Sequence, residues 1–326
     1  MGAVRTFMDH HYLHFNSREV VAAAKAYEAH LAAGGKMMVT LAGAMSTARI
    51  GRILARMIRE DKVHAICCTG ANLEEDIFNL LAANEYEIIA DYRGLRAEDE
   101  KDLYDRGFNR VTDTCIPETI MRHLEDRLID RWAKACADGE RKMESEYLFD
   151  ILDDPTLAQH YQIPASDSWM LAAKEKGIPV YAPGWEDSTT GNMFAAACWR
   201  GDVASHGCVK SGTEQMVHLM KWYLANNNAG AGKPSVGFFQ IGGGIAGDFA
   251  ICAVPTMIQD LEMEDCPFWG YFAQISDAVT SYGGYSGAVP NEKITWGKLE
   301  VDTPKFMIQS DATIVAPLIF AYLLND

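Results

Sequence analysis

The residues of this chain best suited to chemistry lie in Trp296-Gly297-Lys298, with Glu292 ahead of them and Asp311 further on. A lysine flanked by tryptophan and glycine can be shielded from water on one side, and desolvation favours the neutral amine that attacks a carbonyl or imine. Such a lysine suits Schiff-base chemistry. The stretch 293–301 also alternates as an exposed strand does, so its residue types alone admit a purely structural reading.

Two glycine-bearing turns form the next candidates. Gly242-Gly243-Gly244 follows the apolar run 236–241 and precedes an apolar segment from Ile245, and Cys68-Thr69-Gly70-Ala71 follows the apolar run 65–68. Glycines at strand-to-helix turns let phosphate approach the backbone N–H groups of a helix N-terminus. Neither turn is G-x-G-x-x-G, and close packing in a tight turn would demand the same residues. Carboxylates near such turns can bind ribose hydroxyls. Taken singly, Glu74-Glu75-Asp76 reads as favourable charge in a helix's first turn and Asp311 as an N-cap.

Other features carry less. His10 and His14 stand four apart with no cysteine or acidic set beside them, so no metal site is expected. Cys198, Cys208 and His206 have no nucleophile spacing, the 15 methionines read as core filler, and Glu98-Asp99-Glu100-Lys101-Asp102 reads as a solvated helical start.

To position these groups, short apolar runs alternate with longer amphipathic stretches, the pattern of βα units around a largely parallel sheet. Strands are predicted at 36–41, 65–68, 179–182, 235–241, 270–275 and 306–309. Helices are predicted at 17–33, capped by Asn16 or Ser17, and at 45–60, 75–83 and 215–226. The clearest loop is 226–234, and elements of the same kind continue on both sides of it. The expectation is therefore α/β: a single Rossmann-like domain over 1–326, its largely parallel sheet flanked by helices.

The 326 residues include 8 cysteines without C-x-x-C spacing, several in apolar context, and no secretory h-region opens the chain. Free thiols and a cytoplasmic location are expected. No apolar run approaches a membrane span. A net charge of −16 argues against nucleic acid and favours cationic ligands.

Together the segments make a pattern. Gly287-Ala288-Val289-Pro290-Asn291-Glu292-Lys293-Ile294-Thr295-Trp296-Gly297-Lys298 resembles the active-site segment of deoxyhypusine synthases. The order and spacing of Thr69-Gly70, Leu73-Glu74-Glu75-Asp76, Ile178-Pro179-Val180 with Asp187 and Gly191, Gly242-Gly243-Gly244 and Ser310-Asp311-Ala312 extend the likeness over most of the chain. Leu41-Ala42-Gly43-Ala44-Met45-Ser46-Thr47 and Ser281-Tyr282-Gly283-Gly284-Tyr285-Ser286-Gly287 resemble the bacterial deoxyhypusine synthase-like subgroup.

The resemblance implies NAD as cofactor, held by Thr69, Gly70, Glu75, Asp187, Gly242, Gly243, Gly244, Asp277, Ala278, Ser286 and Asp311. It implies that hydride leaves the carbon beside a polyamine's secondary amine, that Lys298 captures the aminobutyl group as an imine, that a second amine displaces it, and that the same hydride returns. Trp296 would stack on polyamine methylenes and a cation, and Glu292 would pair with a terminal ammonium. A homotetramer with active sites at a dimer interface is implied too.

The chain departs from the family at three places. No histidine follows the triple glycine; Asp248 falls at about that place as the candidate catalytic group, although an ionised carboxylate is a poor base unless desolvated. Asn192 and Tyr285 stand where the family has polyamine-contacting aspartates, and both are retained as substrate-binding candidates, Tyr285 through its ring face. With no long N-terminal segment either, the expected acceptor is a small diamine such as putrescine, giving homospermidine. The alternatives are modification of a protein lysine and a catalytically silent NAD- or polyamine-binding protein.

Overall fold

In the computed structural model, which describes residues 2–281 and 283–326, nine strands form two sheets. Tyr282 of the glycine-rich segment quoted above lies outside the described residues. The strands are β1 (Met37–Leu41), β2 (Ala65–Cys68), β3 (Glu87–Ile88), β4 (Phe108–Val111), β5 (Thr114–Pro117), β6 (Val180–Tyr181), β7 (Gly237–Ile241), β8 (Tyr271–Ser276) and β9 (Lys305–Gln309).

Six of them make a wholly parallel sheet in the order β6-β2-β1-β7-β8-β9. Every residue of β1, β2, β7 and β8 is buried, because crossover helices cover both faces of a parallel sheet. All six strands fall within two residues of their sequence-predicted bounds. From β1 the chain winds outward through β2 to β6, then returns to the other side of β1 with β7, β8 and β9. The order thus reverses between β1 and β7, and a crevice opens there at the carboxyl ends of the strands, where open α/β sheets bind ligands.

Several boundaries differ from expectation for identifiable reasons. The helix predicted at 45–60 spans only Gly51–Arg59, because Arg49 adopts a left-handed φ of 59° and residues 43–50 form turns. The helix predicted from 75 begins at Gly70, with Thr69 as its N-cap, so Glu74, Glu75 and Asp76 lie beyond its first turn. The first predicted helix is Phe15–Ala32 with His14 at its cap; Asn16 instead donates to the carbonyl of Gln309 at 2.8 Å. The helix Gly212–Asn226 is capped by Ser211. The antiparallel sheet β3-β5-β4 has no counterpart in the sequence reading, its strands being two to four residues long and partly exposed.

The eight cysteines are free. Among the described residues no helix is long and apolar enough to cross a membrane.

Candidate active site

The segment that carries Lys298 is not a strand. Residues Glu292–Thr295 form one helical turn, which closes as a Schellman motif: Gly297 N–H donates to the Ile294 carbonyl and Lys298 N–H to the Lys293 carbonyl, each at 3.1 Å. Gly297 occupies the left-handed position at φ 67°, where a Cβ would strain the backbone. This explains the glycine between tryptophan and lysine. It also brings positions 293 and 298 together, where this motif usually joins two apolar side chains.

Here both are lysines, and both are buried. Lys298 Nζ donates to Asp248 Oδ1 at 2.8 Å and lies 5.3 Å from the Tyr285 ring centroid and 5.9 Å from that of Trp296. Lys293 Nζ lies 4.8 Å from the Tyr285 centroid and 4.9 Å from that of Phe272. Its ammonium is pushed down to about 8, first by burial and then by the charge of Lys298.

These groups line a cleft of about 240 Å³ with Cys252, Gly283, Ala288, Glu292 and Trp296. Glu292 and Trp296 are exposed at its mouth. Asp248 is half-exposed, and its carboxylate is engaged by Lys298.

Behind the cleft stand two buried glutamines in register on neighbouring strands, Gln240 of β7 and Gln274 of β8. Gln240 Oε1 accepts from the Tyr285 hydroxyl at 2.8 Å, and Gln274 Nε2 donates to the Ser286 carbonyl at 2.6 Å. They fix the ring that the two lysines share. Sequence reading passed over both glutamines and Lys293, although an amide in the middle of an otherwise apolar strand is a legible signal, since a buried amide needs a partner.

A second cleft, about 200 Å³, lies where the sheet order reverses, lined by Ala42, Gly43, Met45, Gly242, Ser276, Asp277, Ser310 and Asp311 among others. Gly243 is the N-cap of the helix Gly244–Ile251 and has no side chain to satisfy the helix's first N–H groups. Ser286 Oγ accepts from Gly244 N–H at 3.2 Å, and a Cβ on Gly243 would sit 2.2 Å from that oxygen. The same helix carries Asp248 to the lysine cleft, and Gly242, two residues ahead of it, lines the second cleft. Asp311 caps the helix Ala312–Leu324, accepting from Thr313 N–H at 2.7 Å, and borders the second cleft as well. Ala278 follows Asp277 beside it.

The remaining candidates gather around β2 and β6. Thr69 Oγ1 donates to the Gly43 carbonyl at 2.6 Å, tying the second glycine turn, which continues at Gly70, to the cleft. Glu75 is buried, accepts from Thr47 N–H at 3.3 Å and is pushed up to about 7 by burial. Its neighbour Glu74 accepts from Thr189 and Thr190 N–H at 2.9 and 2.7 Å, so it caps the helix Thr189–Arg200. Asp76 accepts from the Ser168 hydroxyl and from Met170 N–H. The acidic triplet therefore joins elements in the interior and is not charge in a first turn. Asp187 and Asn192 are exposed after β6; neither lines the lysine cleft.

A parallel sheet with a crevice at its switch point, and a second cleft that sets a buried lysine among aromatic rings and a carboxylate, define an α/β protein of the open, doubly wound class. The deoxyhypusine synthase family model matches residues 7–323, and the chain belongs to the deoxyhypusine synthase family. The family's members are transferases that use NAD. A deoxyhypusine synthase-like protein of Nostoc sp. is 26% identical over 99% of this chain and 82% of its own length. A Methanosarcina mazei protein named "Probable deoxyhypusine synthase 2" is 26% identical over 89% of this chain and 76% of its own. A crystal structure from Entamoeba histolytica, of a protein provisionally named as a deoxyhypusine synthase, shares the fold with a TM-score of 0.57 at 12% identity, over 95% of this chain and 88% of the other.

Proposed function

We propose that this chain is a single catalytic domain that moves an aminobutyl group from a polyamine donor through an imine on Lys298 to a small diamine. One observation carries the reading: the Lys298 amine is buried beside the Asp248 carboxylate and near the rings of Tyr285 and Trp296, an environment that suits alkylammonium chains.

The second cleft would hold NAD: Gly242 and Gly243, just ahead of the helix Gly244–Ile251, suit a pyrophosphate, and Asp277 and Asp311 suit ribose hydroxyls. Thr69 bonds to Gly43 of its lining and Ser286 to Gly244 nearby, while Gly70 and Ala278 adjoin Thr69 and Asp277 in the chain; Glu75 would act through the 43–50 turns and Asp187 from the β6 side. When bound, NAD would accept hydride from the donor's carbon and return it. The chain's own residues do the rest. Trp296 and Tyr285 hold the donor's methylenes and cations, Glu292 pairs with a terminal ammonium at the cleft mouth, and Asp248 holds the Lys298 ammonium until its proton leaves.

In one chain the two clefts share no lining residue, and Asn192 and Asp187 line neither of them. A homotetramer whose sites combine residues of two subunits would unite them. Exchange of the polyamine-facing carboxylates for Asn192 and Tyr285 favours a small amine acceptor over a protein lysine.

The test is to incubate the protein with NAD and each of putrescine, spermidine, homospermidine and agmatine, and to identify every amine product by mass spectrometry. With spermidine and putrescine together, homospermidine and the leaving amine diaminopropane are expected. No amine product from any donor would sink aminobutyl transfer, and labelling of a protein lysine in place of a free amine would overturn the acceptor.

A further inference from the structure

An amine can release hydride from its neighbouring carbon only when its lone pair is free to form the C=N bond. A polyamine's secondary nitrogen is protonated in water near neutral pH, so some group must first take its proton. The lysine cleft has no histidine among its lining residues, and Asp248 is engaged by Lys298.

We propose that Lys293 is the proton acceptor of this site, taking the proton from the donor's secondary ammonium. The inference rests on the aminobutyl-transfer reading above. The N–H bond of the donor breaks as an N–H bond forms on Lys293 Nζ; the donor becomes a neutral amine and Lys293 an ammonium, with no net change of charge.

The placement supports this. The Schellman turn sends the Lys293 side chain inward beside Lys298, with 3% of the residue exposed. No carboxylate of the described residues lies within 4.0 Å of its Nζ, whose one side-chain partner is Gln274 Oε1 at 3.5 Å. The charged and titratable groups around it are Lys298 and Glu292 on its own turn, Asp248 and Cys252 from the helix Gly244–Ile251 and its end, and Tyr285 from the facing loop. Burial beside Lys298 favours the neutral amine before reaction. The faces of Tyr285 and Phe272 and the Gln274 carbonyl receive the ammonium after it. An acceptor that titrates near 8 is matched to work close to neutral pH.

Two variants separate this role from packing. Lys293→Met keeps an unbranched chain between the rings but cannot accept a proton, and Lys293→Arg keeps a charge that is never lost. In the native protein, kcat/KM for amine product should rise with pH through about 8. Both variants should lose about 100-fold or more in kcat and lack that limb, while NAD affinity and the melting temperature of Lys293→Met stay native. A Lys293→Met protein that keeps native kcat and the same limb would overturn the proposal with aminobutyl transfer left standing. A native protein that forms no amine product would overturn both.

Discussion

The backbone N–H of Lys298 donates to the carbonyl of Lys293 at 3.1 Å, and this single bond closes the turn that sets two lysine side chains against one tyrosine ring. Apolar contact is what the turn ordinarily seals. Placing two amines there is unfavourable for folding unless the site uses them, because each loses hydration and each repels the other's charged form.

Lys298 is expected to carry the covalent intermediate. Borohydride added to protein, NAD and a polyamine should add a butylamine mass to the peptide containing Lys298. Lys298→Ala should abolish the adduct, and Lys298→Arg should do so too, since a guanidinium does not deprotonate. A native-sized adduct on another peptide in Lys298→Ala would move the assignment.

Gly297→Ala should uncouple stability from activity. An L-residue at φ 67° costs about 1–2 kcal/mol, which in a chain of this size lowers the melting temperature by only a few degrees. Turnover should fall at least tenfold, because relaxing the turn separates Lys298 from Asp248. Unchanged turnover in a destabilised variant would show that the turn does not position the lysine.

Asp311 is expected to have two separable roles. Asn serves as well as Asp at an N-cap, whereas Ala costs about 1 kcal/mol there. Asp311→Asn should therefore keep the native melting temperature yet weaken NAD binding by about 1.5–3 kcal/mol, the scale of a hydrogen bond to a charged group. Calorimetry giving native NAD affinity in Asp311→Asn would leave the residue a cap alone.

Stability should depend on pH in a direction set by buried carboxyls. Glu144, which accepts from Ala182 N–H at 3.0 Å, is pushed up to about 8 by burial, Glu75 to about 7 and Asp76 to about 6. A carboxyl raised on folding releases its proton more readily in the unfolded chain. Its stabilising contribution is complete below the unfolded value near 4.5 and is lost as pH rises through the folded value. The melting temperature should fall by several degrees between pH 5 and about 8, and Glu144→Gln should flatten that slope. A native protein whose melting temperature climbs over this range would refute the assignment.

The sequence by itself determined the six parallel strands, because continuous apolar runs such as Phe238-Phe239 and Ile66-Cys67-Cys68 can be buried only between two helical layers. It also determined the residue types around Lys298, and the five candidates Asp248, Tyr285, Glu292, Trp296 and Lys298 do meet in one cleft. What the tertiary structure decided was direction and partnership. Alternation over 293–301 could not reveal a helical turn closed by Gly297, since the reversal depends on one left-handed residue and two backbone bonds. Nor could spacing show that Glu74 caps a helix more than a hundred residues away, or that Gln240 and Gln274 stand side by side. Those pairings belong to strand order and register, and a buried side chain's role follows from the partner that the assembled sheet places within reach of it.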